Sequence, residues 1–206
     1  ASAIPTYAST QSIFALFKSP AEYLENNTWA QWPAGKGYET IVPGHAYTQL
    51  AHPWGGGSLP LWFEHDSRVQ NCRQLTCFTN RPMFESVIEL QQHYEANIKP
   101  LPLDEQEKAL ADIADGMQPG EPPRENMLIH RTIDTVVGTG TAISSRVTLQ
   151  TGGAYFQTGI YQAAAAQKLI NEGTMKAGFA SPCQIVGHEY LLGQLRNFLP
   201  TELTIE

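Results

Sequence analysis

The 206-residue sequence is poor in positive charge. Thirteen Lys and Arg stand against twenty Asp and Glu, giving a net charge of −7, and the basic residues form no run. That balance argues against nucleic acid as a partner, because binding phosphates needs a clustered basic surface. No apolar run approaches the ~20 residues of a membrane-spanning helix, so no span is expected. The opening ASAIPTYAST lacks the basic and apolar regions of a signal peptide. It also lacks an initiator methionine, which reads as a processed chain or a fragment of a longer one. Cysteine is scarce, with three residues and no Cys-x-x-Cys. Cys72 and Cys77 lie in VQNCRQLTCF, read as one strand. Their odd spacing sets them on opposite faces, about 16 Å apart, too far for a disulfide. Reduced thiols in a cytoplasmic protein are the expectation. Asn26-Asn27-Thr28 fits a glycosylation acceptor, but nothing else suggests secretion.

Chemical signatures are equally sparse. The histidines (His45, His52, His65, His93, His130 and His188) make no zinc spacing, so no metal is expected. No G-x-S-x-G elbow is present, and the catalytic residues remain unknown. Cys183 has no evident electropositive neighbour and reads as a buried, unreactive thiol.

What is present has mixed periodicity. SIFALF carries Ile13, Leu16 and Phe17 at helical spacing, and Ser19-Pro20-Ala21-Glu22 has the form of a capping box opening a further helix. Residues 33–60 are loop-dominated, with a short strand at 38–42. LPLWFEH (59–65) and QNCRQLTCF (70–78) resemble strands. Phe84, Val87, Ile88, Gln91, Tyr94 and Ile98 mark one helical face, ended by Pro100 and Pro102. A second helix follows over 103–117 and a turn-rich linker over 118–126. Apolar segments around Gly138-Thr139-Gly140 suggest a hairpin. An alanine-rich helix, a loop at Ser181-Pro182 and a last helix at about 187–198 complete the order. This predicts one α+β domain over 1–206, a mixed, mainly antiparallel sheet with helices packed on one face.

Two glycine-rich stretches invite a ligand. TGGAYFQTG (151–159) runs into a helix, and backbone N–H groups at 154–159 are a generic anion site. It has no Lys-Ser/Thr of a Walker loop, so the favoured reading is a tight strand-to-helix joint. Gly138-Thr139-Gly140 follows a strand, but Ile143 occupies the third glycine position of a dinucleotide fingerprint, and a strand follows instead of a helix. HPWGGGS (52–58) reads equally as a ligand-lining loop or as a surface loop with a packed tryptophan.

The segment RVTLQTGGAYFQTGIYQAAAAQKLINEGTMKAGFASPCQIVGHEYLLGQLRNF (146–198) resembles the end of saccharopine dehydrogenase-like (trans-acting enoyl reductase-like) oxidoreductases. The matching positions are Tyr155 with Thr158, the alanine run 163–166, Gly178 with Ser181-Pro182, and Leu195-Arg196. ASTQSIFALF (8–17) resembles that family's passage from nucleotide domain to substrate domain, with Ala8-Ser9 in place of its Gly-Thr. The middle hundred residues correspond only by element order. The resemblance implies the substrate-binding and dimerisation part of an NAD(P)-dependent enzyme. NAD(P) is then held by the protein's own N-terminal Rossmann domain, and this chain holds no cofactor. Alone it is expected to be catalytically silent, and a homodimer is implied. Implied substrate contacts are Trp54, Gly55, Gly56 and Gly57 in one loop, with Arg146 as a carboxylate clamp, Tyr155 or His188 as a proton donor, and Gln157. A non-enzymatic metabolite-binding or oligomerisation module is the alternative from another class.

Overall fold

The computed structural model describes residues 6–53, 57–117, 125–173 and 178–206. They form two compact units, residues 6–41 with 45–117, and residues 42–44 with 125–206. Each is α+β, and among the described residues every strand pairing is antiparallel, in three separate small sheets.

In the N-terminal unit, helix α1 (Tyr7–Ala15) is capped by Thr6, whose hydroxyl accepts from the Ser9 N–H. It buries Thr10 and Phe14, while Leu16 of the expected face stays exposed. The capping-box helix expected at Ser19–Glu22 does not form. Strands β1 (Glu22–Glu25) and β2 (Thr28–Gln31) stand there as a hairpin. Asn26 and Asn27 both have positive φ, 52° and 59°, which is the two-residue type I′ geometry that fits strand twist. Tertiary pairing overrides the local signal, because Leu24 is buried and exchanges backbone hydrogen bonds with Cys72.

Strands β3 (Tyr38–Thr40), β4 (Gln49–His52) and β5 (Thr76–Cys77) make the second sheet. Here two strand expectations are corrected. LPLWF forms a short helix, α2 (Leu59–Phe63), with Pro60 in its first turn, where a missing N–H costs nothing. Of the expected strand 70–78 only β5 is regular, and Cys72 sits in an isolated bridge. The two cysteines therefore do not share one strand. All three thiols are free, and Cys183, expected to be buried, is exposed in the first turn of the helix that follows Ser181.

Helix α3 (Arg81–His93) continues through a π-helical turn, Tyr94–Ile98. Every residue of the predicted face is buried. Phe84 and Ile88 pack on Leu50 of β4. Tyr94 and Ile98 join Phe14 of α1 and Leu110 and Ala114 of α4 (Leu103–Met117) in the main cluster. Buried Gln91 accepts from the Gly35 N–H at 2.9 Å, which explains a polar residue on an apolar face.

The C-terminal unit opens with β6 (Thr132–Thr139) and β7 (Ser144–Thr151), the expected hairpin, turning at residues 140–143. Strand β8 (Glu202–Ile205), not expected from the sequence, pairs with β7 and completes the sheet order β6-β7-β8. Helices α5 (Ala154–Glu172), α6 (Pro182–Val186) and α7 (His188–Phe198) pack together through Ala164, Val186 and Leu191. Ser181 and Gln184 form a reciprocal capping box at α6, where a loop was expected.

Candidate functional site

The joint between β7 and α5 is built around two glycines. A side chain on Gly152 would press on Leu199, whose Cδ2 would be 3.1 Å from the added carbon. A side chain on Gly153 would overlap the Glu125 carboxylate. That carboxylate lies where an N-cap side chain belongs, since its Oε2 accepts from the Phe156 N–H at 3.0 Å and Gly153 has no side chain to do so. The positive end of α5 is therefore neutralised from within the chain.

One turn further along α5, Gln157 connects two acids. Its Nε2 donates toward Asp134 Oδ2 of β6 and toward the Tyr161 hydroxyl, at 3.5 Å each. Asp134 keeps accessible surface as a residue, yet the crowding of its carboxyl raises its pKa, opposed by the Gln157 hydrogen bond. Burial also raises the Tyr161 pKa. The hydrogen bond from Gln157 opposes this, while the nearby carboxyl of Asp134 adds to it. Both groups are thus held toward their protonated forms. The phenol oxygen accepts from Gln157, so its own proton is available to another acceptor. A carboxyl and a phenol bridged by one amide are of the residue types used in general acid–base chemistry.

A separate apolar groove of about 370 Å³ runs between α5 and α7, lined by Tyr155, Phe156, Ile160 and Phe198 among others. Among the described residues its strongly polar lining side chains are Gln167 and Gln194.

The residues implied from the sequence are only partly gathered. Gln157 belongs to the acid line and Tyr155 to the apolar groove, on different stripes of α5. Arg146 lies in β7 opposite Val137, whereas Asp134 lies opposite Leu149. Odd spacing between Arg146 and Leu149 puts Arg146 on the other sheet face from Asp134. Its guanidinium pairs with Glu206 at 3.1 Å, and their backbones exchange two hydrogen bonds. His188 is the exposed first residue of α7. In the N-terminal unit Gly57 borders another groove. Trp54, Gly55 and Gly56 lie outside the described residues. His52, next to that loop, is buried, and its Nδ1–H donates to the Lys36 carbonyl at 2.9 Å, so it serves the core. Asp134, Tyr161 and Glu125 were missed. No local spacing marks them, although Gln157 and Tyr161 share a helix stripe at i and i+4.

Among the described residues no three His, Cys, Asp or Glu side chains cluster to hold a metal ion, and no helix is long and apolar enough to cross a membrane. An α+β chain with a capped strand-to-helix joint and a short hydrogen-bonded line, Asp134–Gln157–Tyr161, is the class defined so far. The chain belongs to DUF5938, a family of unknown function, whose family model matches residues 2–203. No curated protein matches it.

Proposed function

We propose that this chain is the substrate-binding and dimerisation part of a saccharopine dehydrogenase-like, NAD(P)-dependent oxidoreductase. The observation that carries the reading is the Asp134–Gln157–Tyr161 line, of which Gln157 and Tyr161 lie in the segment bearing the resemblance. Hydride chemistry on a carbonyl, imine or activated alkene is accompanied by proton transfer, and a phenol kept protonated beside a carboxyl supplies that function. Tyr161 is the proton donor in this reading, Gln157 orients it, and Asp134 tunes it.

The residues here do not fit the dinucleotide. Glu125 sets a negative charge at the helix end that a pyrophosphate would need. The cofactor therefore belongs to a separate Rossmann domain of the same protein, and this chain alone is silent. Free thiols fit a cytoplasmic setting.

Self-association is supported by a row across the third sheet. Val136 faces Val147, and Val147 faces Ile205, on one surface of the sheet. They are 52%, 37% and 69% exposed. The same row favours the second reading, a non-enzymatic oligomerisation module.

The test is direct. A G-x-G-x-x-G strand-to-helix fingerprint in the encoding reading frame supports the reductase, and its absence overturns it. In the complete protein Tyr161→Phe should lower kcat on the order of 100-fold with KM little changed. Tight NADPH binding by this chain alone would also contradict the division of labour.

A further inference from the structure

The N-terminal unit holds a groove of about 480 Å³ that the reductase reading leaves without a role. Its large apolar lining residues are Leu16, Trp29, Trp32 and Leu61. Its charged lining is acidic, Glu22 and Glu64, and no Lys, Arg or His contributes among the described residues. Leu16, Trp29 and Leu61 are 36%, 40% and 43% exposed, so three large apolar side chains open onto one concavity.

The aromatic parts are already fixed in place. Trp29 donates its indole Nε1–H to Glu64 Oε1 at 2.9 Å. The Trp32 ring lies 4.7 Å from Tyr23 and 5.1 Å from Tyr38, centroid to centroid. A ligand entering here meets a preorganised wall and orders little on arrival. The carboxylates, by contrast, have charge to spare. The second Glu64 oxygen has the exposed His65 ring at 3.9 Å. The Glu22 carboxylate has no hydrogen bond or ion pair among the described residues. Two cations lie near these aromatics. Arg73 stacks on Tyr23 and Trp32 and is paired with Glu25, and Lys36 sits over the Tyr38 ring at 5.2 Å. Neither is a lining residue.

We propose that this groove binds a small alkylammonium ligand, its cation seated against Trp29 and held between Glu22 and Glu64. An indole face attracts a cation through its quadrupole, and the two exposed carboxylates add Coulomb attraction at the groove wall. An anion is repelled by the same charges. A neutral apolar guest covers the Glu22 carboxylate without giving it a partner. The site stands independently of the reductase reading, because its readout is binding.

The test follows the Trp29 indole N–H resonance, assigned by its loss in Trp29→Phe, at constant ionic strength. The full chain is titrated with choline and with its uncharged carbon isostere, 3,3-dimethylbutan-1-ol. Choline should shift the signal saturably, with the isostere about tenfold weaker or more. Glu22→Gln, at an exposed strand position, should weaken choline by a similar factor and leave the remaining spectrum unchanged. Equal binding of the isostere, an unaffected Glu22→Gln variant, or no saturable shift with choline would each overturn the proposal.

Discussion

Gly153 and Glu125 act as a pair, although 28 positions separate them in the sequence. The glycine is required because the carboxylate takes the space of a side chain, and the carboxylate is required because a glycine cannot cap. Gly153→Ala, at an ordinary φ of −59°, displaces Glu125 and loses the cap. Each of Gly153→Ala and Glu125→Ala should cost about 1 kcal/mol in urea unfolding. The double variant should cost no more than the larger single, since both remove one interaction. Asp134 gives a second test at this scale. Its folded pKa is raised above the unfolded value of about 3.9, so the folded state holds a proton the unfolded state has released. Stability therefore falls as pH rises from about 4 through the folded pKa, and stays lower above it. Asp134→Asn should abolish that fall and unfold at higher urea than the parent at neutral pH. An unchanged pH profile would contradict the assignment.

At the level of elements, the β1–β2 hairpin turns on Asn26-Asn27, where two residues hold the left-handed region. Replacing both with alanine should destabilise the N-terminal unit by about 1–2 kcal/mol. Asn27→Gly should retain or slightly raise stability, because Asn-Gly suits this turn. Thermal unfolding of the three proteins decides it. This hairpin also shows where the sequence misleads. Ser-Pro-Ala-Glu satisfies the local grammar of a helix start, yet pairing of Leu24 with Cys72 decides the outcome from 48 residues away. LPLWF offered an apolar run too short to reveal a period, and Pro60 fits a first helical turn as well as an edge strand. The α3 face was legible to the residue because six positions keep one period into the π-helical turn. The β6–β7 hairpin was legible from alternation around its glycines. The acid line was not. Its partners come from a strand and a helix whose meeting is set by tertiary packing, which no spacing in the chain encodes.

For the whole molecule, the three thiols lie in graded environments. Cys72 is buried, Cys77 intermediate and Cys183 exposed, and burial pushes the first two pKa values up. One thiol should react rapidly with Ellman's reagent in native protein, and Cys183→Ser should remove that phase. The apolar row Val136, Val147 and Ile205 crosses the sheet from one edge strand, β6, to the other, β8. Sedimentation should show a dimer that Val136→Lys converts toward monomer, because burying an unpaired charge in an apolar interface is costly. A wild-type monomer at all concentrations would remove the dimerisation half of the proposed function. The capped joint at α5 has a consequence for solution behaviour. Glu125 is a competitor carried on the chain, and a tethered group acts at an effective concentration on the order of millimolar. Phosphate, nucleotides and organic acids dissolved around the protein must outcompete that built-in occupant before they reach the helix end. The joint is therefore indifferent to the ordinary run of small anions, and anything that does bind there must bring contacts of its own beyond its charge.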